Sequence, residues 1–189
     1  MQNEKTKKIA ALGILTAIVV VLQLLGSFIR FGQFSISLVL IPIVVGAALY
    51  GPAAGAWLGF VFSVTVLLSG DAAAFLAVNV FGTILTVIAK GTVAGFVSGI
   101  VYKLFEQKKT LAAVLSAIVC PICNTGIFLI GCFLFFMPTI SEWASAFGFA
   151  STGTYILLGL VGGNFLFEVL TNVILSPVIV RVISMGRNQ

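Results

Sequence analysis

Six apolar runs, at roughly 9–29, 35–50, 53–69, 76–102, 111–137 and 154–183, take up nearly all of this chain and leave only short connections between them. A helix of about 20 apolar residues crosses a hydrocarbon core of roughly 30 Å, and it satisfies its own backbone N–H and C=O groups where lipid offers them no partner. The pattern predicts an all-α integral membrane bundle of six transmembrane helices, a single transmembrane domain over residues 1–189 with no separate soluble unit. Composition agrees, at 60% hydrophobic, 8% charged and a mean hydropathy of +1.24. The first run follows Lys5, Lys7 and Lys8 but is long and ends in no clear small-residue cleavage site, so it reads as a retained span. Tyr50, Gly51 and Pro52 read as a tight turn between the second and third runs.

Cytoplasmic flanks of membrane helices keep Lys and Arg. With both termini cytoplasmic, one side of a six-span bundle receives Lys5, Lys7, Lys8, Lys103, Lys108, Lys109, Arg181 and Arg187, and the other receives only Arg30. The net charge of +5 is then a mark of topology, and no nucleic-acid partner is implied. Internal repeats of the inverted kind seen in many secondary transporters are absent.

The chain has no histidine, and no nucleotide-binding loop, nucleophile elbow or zinc-protease motif. It is therefore read as no enzyme and as carrying no cofactor. Cys120, Pro121, Ile122 and Cys123 place two thiols near one another in the fifth run, with Cys132 further on. A soft metal ion such as Cu(I) suits thiolates, but nothing nearby completes a set of ligands. The cysteines read as small apolar packing residues beside a proline that kinks the helix, and no metal site is assigned.

Polar residues inside the runs carry more information, because a charge at the bilayer centre costs about 2.5–3.5 kcal/mol on insertion scales and such groups turn inward. In NFLFEVLTN, residues 164–172, Asn164, Glu168 and Asn172 fall four apart on one helical face. In the fourth run Asn79, Thr83, Thr86 and Lys90 form a second stripe. Glu168 and Lys90 lie at matching depths, so an ion pair between them is the simplest way to satisfy both. Two facing polar stripes make either a sealed seam, held by interhelical hydrogen bonds of about 0.6 kcal/mol each, or the wall of a ligand site. Outside the spans, the connection around Arg30 carries Phe28, Phe31, Gln33 and Phe34, and the segment 137–155 carries Trp143, Phe147, Phe149 and Tyr155. These aromatic loops read as lids or as an interfacial belt. Asp71 reads as a cap for the fourth helix.

The first span beginning KKIAALGILTAIVVVLQLL, the stretch LVLIPIVVGAALYGPAAGAWLGF and the closing NFLFEVLTNVILSPVIVRVI together resemble the substrate-binding S components of energy-coupling factor (ECF) vitamin transporters, over nearly the whole chain. The resemblance implies a high-affinity, membrane-embedded vitamin-binding subunit of an ABC-type importer in a bacterial cell membrane. Its partners would be a coupling transmembrane subunit and two cytoplasmic ATPases. It also implies that Gly13 and Ala17, the best match to the family's small-x-x-x-small motif in the first span, dock against the coupling subunit. The family's pocket lies near the external surface under loops, which points to Arg30, Phe31, Asn79, Thr83, Lys90, Trp143, Asn164 and Glu168 as substrate-binding candidates. Pantothenate is the favoured vitamin, with Arg30 as the partner of its carboxylate because Lys90 is expected to be neutralised by Glu168. Riboflavin and folate come next, riboflavin asking instead for apolar walls and amides. Two other classes remain open: a stand-alone secondary transporter using Glu168 as a protonatable group, and a structural membrane protein in which both stripes are seams.

Overall fold

A computed structural model describes the backbone of residues 2–28, 30–31, 34–35 and 38–187, and the side chains of 5–27 and 38–181. The elements run α1 (Gln2–Phe28), β1 (Arg30–Phe31), β2 (Phe34–Ser35), α2 (Leu40–Tyr50), α3 (Pro52–Leu68), α4 (Ala73–Leu76), α5 (Val80–Leu104), α6 (Lys109–Phe135), α7 (Met137–Ala146), α8 (Thr152–Thr154), a π-helical segment (Tyr155–Gly162), α9 (Gly163–Ile174) and α10 (Ser176–Arg187). Four stretches are long and apolar enough to cross a membrane: Lys5–Ser27, Val80–Leu104, Lys109–Phe135 and Thr152–Ile174. Leu40–Tyr50 and Pro52–Leu68 are apolar but shorter. β1 and β2 form a small antiparallel hairpin that pairs Arg30 with Ser35.

Several boundaries differ from the sequence pattern, each for a local reason. The run at 154–183 is divided, because Pro177 has no N–H to donate to Val173 and the Ser176 hydroxyl takes that carbonyl instead, at 2.7 Å. A similar break at Phe136 precedes Pro138, so the expected loop at 137–155 contains the helix α7. The helix of the fourth apolar run, α5, is capped by Asn79, whose side chain accepts from the Gly82 N–H at 2.9 Å. Asp71 therefore has no capping role there; its Oδ2 accepts a hydrogen bond from Gln23 Nε2 of α1 at 2.6 Å. Pro121 sits inside α6, which continues through it.

The core forms around α2. Leu40, Ile43, Val44, Val45, Ala47 and Ala48 are buried, and the helix packs against α1, α3, α5, α6, α9 and α10. A helix apolar on every side belongs in the middle of a bundle. Beside it, α3 and α5 meet through an antiparallel row of glycines. A Cβ on Gly55 would collide with the Gly95 backbone, one on Gly59 with Gly91, and one on Gly99 with Pro52. Only glycine lets two backbones approach this closely, and in lipid such packing replaces the hydrophobic drive that water supplies elsewhere. Beyond α3, α5 packs most extensively against α6.

Apart from Lys90, inside α5, most of the lysines collect at one end. Lys8 Nζ donates to the Tyr50 carbonyl at 3.4 Å, tying the start of α1 to the end of α2. Gly99, near the end of α5, lies against Pro52, and Lys103, Lys108 and Lys109 follow at the turn into α6. At the other end sit the end of α1, the α3–α5 connection, the start of α5 and the end of α6.

Candidate functional site

Toward the end away from the lysines, the helices enclose a cavity of about 130 Å³. A single water needs ~10–15 Å³ by the same measure, so the space takes several waters or part of a small organic molecule. Thr83, Thr86 and Lys90 of α5 line it, facing Asn124, Thr125 and Phe128 of α6 and Asn164 and Glu168 of α9. Gln23 of α1, Phe62 of α3 and Asp71 and Phe75 of the α3–α5 connection close the remaining sides. The two polar stripes expected from spacing thus converge on one space, without Asn79 and Asn172.

The run 164–172 is arranged by its four-residue spacing. Asn164 Nδ2 donates to Glu168 Oε1 at 3.2 Å, and Asn172 Nδ2 donates to the Glu168 backbone carbonyl at 2.8 Å. Glu168 and Asn172 are each only 2% exposed. The π-helical turn just before α9 contributes Leu160 and Val161 to the cavity wall. Wide π turns of this kind occur often at functional sites.

The expected Lys90–Glu168 ion pair is corrected by the geometry. Glu168 Oε1 is taken by Asn164 and Oε2 has no hydrogen-bond partner among the described residues. Lys90 Nζ instead lies 5.7 Å from the centroid of the Phe62 ring and 5.4 Å from that of Phe128. Ring faces at these distances hold a cation by their quadrupoles, for about 0.5–2 kcal/mol. The rings come from α3 and α6, and Lys90 and Glu168 line the same cavity without a hydrogen bond between them.

Three residues that line the cavity each carry a buried polar atom with no hydrogen-bond partner among the described residues: Thr86 Oγ1, Asn124 Oδ1 and Glu168 Oε2. Each such orphan costs about 1–3 kcal/mol, and native proteins keep few of them. A sealed seam would have paired these groups across the helices. Their grouping around a space large enough for guests suits a polar ligand or ordered water.

Of the remaining candidates, Trp143 stands behind the wall, with its ring 5.4 Å from that of Phe75 in an edge-to-face contact. Phe75 makes further edge-to-face contacts with Phe128 at 5.6 Å and Phe136 at 5.0 Å. The side chains of Arg30 and Phe31 lie outside the described residues. Gly13 and Ala17 are exposed on α1, and a Cβ at Gly13 would meet nothing within 4 Å. Cys120, Cys123 and Cys132 are all free thiols. Gln23, Asp71, Asn124 and Thr125 are cavity residues that the sequence reading left out. For Asn124 and Thr125 the reasoning applied to Glu168 would have sufficed, since they are an amide and a hydroxyl in the middle of an apolar span.

With this geometry in place, the comparisons with known proteins bear on the chain as a whole. The family model for the ECF transporter, substrate-specific component, matches residues 7–180. The Pantothenic acid transporter PanT of Lactococcus lactis subsp. cremoris (strain MG1363) is 30% identical over 206 aligned residues, which cover 100% of each chain. No solved structure matches.

Proposed function

Because this chain belongs to the substrate-specific component family of ECF transporters, we propose that it captures a vitamin for import across a bacterial cell membrane, and that the vitamin is pantothenate. The observation that carries this reading is Lys90, an ammonium on the wall of an inward cavity that is held by rings and has no hydrogen bond to Glu168. Such a group favours an anion. Pantothenate offers one carboxylate, an amide, two hydroxyls and a branched carbon chain. The cavity offers an ammonium, amides and hydroxyls from Asn124, Asn164, Thr83 and Thr86, and apolar walls from Phe62, Phe75, Phe128 and Leu160. The name of the PanT relative supports the same choice. On this reading Lys90 takes the role that the sequence had suggested for Arg30. The flat ring system of riboflavin suits less well a space bordered by a lysine and a glutamate.

The same reading takes α1, α2, α3, α5, α6 and the unit from α8 to α9 as six crossings, with the lysine-rich end and both termini cytoplasmic. At 1.5 Å per residue α2 spans only about 16 Å as a helix. The cavity then faces outward, under α4 and α7. The bare face of α1 around Gly13 and Ala17, with Ile14 64% and Leu25 57% exposed, supports docking of a coupling transmembrane subunit that carries two cytoplasmic ATPases.

The test is equilibrium binding of labelled pantothenate to the purified protein in detergent, with riboflavin and folate as competitors, after denaturing a sample to identify any ligand carried through purification. Saturable binding of one pantothenate per chain that neither competitor displaces is expected. A stoichiometric flavin or folate, or a protein that binds no member of the panel, overturns the assignment. Uptake into vesicles that lack the ATPases would favour a stand-alone carrier.

A further inference from the structure

The cavity is chemically one-sided. Lys90 supplies a cation toward one part of it, and elsewhere the wall presents acceptors whose donors are missing. Glu168 Oε2 and Asn124 Oδ1 have no hydrogen-bond partner among the described residues, and their residues are 2% and 4% exposed. Thr86 Oγ1, on a residue 5% exposed, is equally alone. The other oxygen of Glu168 already accepts from Asn164 Nδ2 at 3.2 Å. That contact steadies the carboxylate of a residue that lines the cavity.

An ionised carboxylate oxygen and an amide oxygen accept hydrogen bonds and do not donate them, and neither Glu168 Oε2 nor Asn124 Oδ1 meets a donor among the described residues. An apolar group placed there would leave each of them desolvated and unmatched, at a cost that an O–H or N–H donor removes. We propose that Glu168 and Asn124 form an acceptor subsite, distinct from the Lys90 anchor, that reads hydroxyl donors on the ligand and rejects analogues lacking them. The proposal rests on the pantothenate reading and assigns its two hydroxyls to these acceptors and its carboxylate to Lys90. Thr86, which both donates and accepts, serves either end. Sites built to hydrogen-bond a hydroxyl discriminate against its absence far more strongly than apolar pockets discriminate against an added methylene. The selectivity of this protein therefore lies at Glu168 and Asn124, while Lys90 sets affinity for acids in general.

The experiment measures two dissociation constants on each variant: for pantothenate, and for its dideoxy analogue, which keeps the carboxylate, amide and branched carbon chain but lacks both hydroxyls. The parent protein is expected to prefer pantothenate by at least about 100-fold. In Glu168→Gln and Asn124→Leu that preference should fall to about 10-fold or less, with affinity for the analogue kept or improved. A ratio taken within one variant is insensitive to the fraction of misfolded protein, and Thr86→Val provides a milder change on the same wall. Lys90→Met should weaken both ligands together and leave the ratio intact. A preference unchanged in both Glu168→Gln and Asn124→Leu overturns the subsite while leaving pantothenate as the substrate. Equal affinity of the parent protein for the two ligands also overturns it. If the parent binds neither ligand, it is the pantothenate reading that fails. If β-alanine, a zwitterion, binds as tightly as pantothenate, Glu168 is the counter-ion of an ammonium and the hydroxyl assignment falls.

Discussion

Lys90 and Glu168 face one cavity from α5 and α9 without a hydrogen bond between them: Nζ is held over the rings of Phe62 and Phe128, and Oε2 has no partner among the described residues. Opposite charges attract strongly in a medium of low dielectric, so a separation maintained by two rings and an amide is a structural feature with consequences. Each charge answers to whatever occupies the space between them. Removing either one therefore acts first on the ligand and only second on the fold, and Glu168→Gln does not strand a lysine from a contact ion pair.

Lys90→Met tests that separation directly. Hydrogen bonds to charged groups contribute about 1.5–3 kcal/mol, so affinity for an anionic ligand should drop by about 10- to 150-fold. The ligand-free protein should melt in detergent at the parent temperature or above it, because an ammonium kept from water is removed and no contact carboxylate is left behind. A fall of many degrees in the ligand-free melt would show that Lys90 holds the fold together.

Asn79→Ala separates a cap from a ligand contact. The side chain accepts from the Gly82 N–H at 2.9 Å and does not line the cavity. Loss of such a cap costs about 1 kcal/mol. A lower melting temperature with an unchanged dissociation constant is expected; a large loss of affinity at constant stability would place Asn79 on the ligand.

The membrane class, the inward turn of Glu168 and the approach of two polar stripes were legible because apolar length and four-residue spacing are local properties of the chain. Asn79 looked like a stripe member because a cap lies on the same helical face as the residues one and two turns below it. The ion pair was misjudged because matching depth says nothing about lateral distance, and the rings that hold Lys90 come from α3 and α6, distant in sequence. Asp71 was illegible in the same way, since its partner Gln23 lies 48 residues upstream. The glycines of α3 and α5 could be seen as frequent, but their opposition as Gly55 to Gly95 and Gly59 to Gly91 exists only once the helices are packed.

That packing gives a paired prediction. Gly95→Leu drives a side chain into the Gly55 backbone, where no flexible group can yield, whereas Gly13→Leu enters open space. Overpacking typically costs about 1–3 kcal/mol and more where backbone must move. Thermal melts in detergent should show a large loss for Gly95→Leu and little change for Gly13→Leu. On the proposed docking of α1, Gly13→Leu should still bind ligand but should co-purify poorly with the coupling subunit. If both variants melt alike, the close approach of α3 and α5 does not carry the stability assigned to it.

Trp143 offers an optical report on the cavity that needs no label. The chain has two tryptophans. Trp57 lies on α3, where Nε1 donates to Thr16 Oγ1 at 3.1 Å and the residue is 52% exposed; it does not line the cavity. Trp143 meets Phe75 edge-to-face at 5.4 Å, and Phe75 is itself part of the cavity wall. A ligand that packs against Phe75 shifts the ring on which Trp143 rests, and edge-to-face pairs are sensitive to geometry. In Trp57→Phe, where Trp143 is the only indole left, tryptophan emission should change saturably with ligand, at the concentration that half-fills the site by direct binding. Adding Phe75→Ala to that variant should abolish most of the change while leaving some binding. An emission that stays flat through saturation would mean that α4 and α7 do not respond to what the cavity holds, and their proposed place over its mouth would then have to be given up.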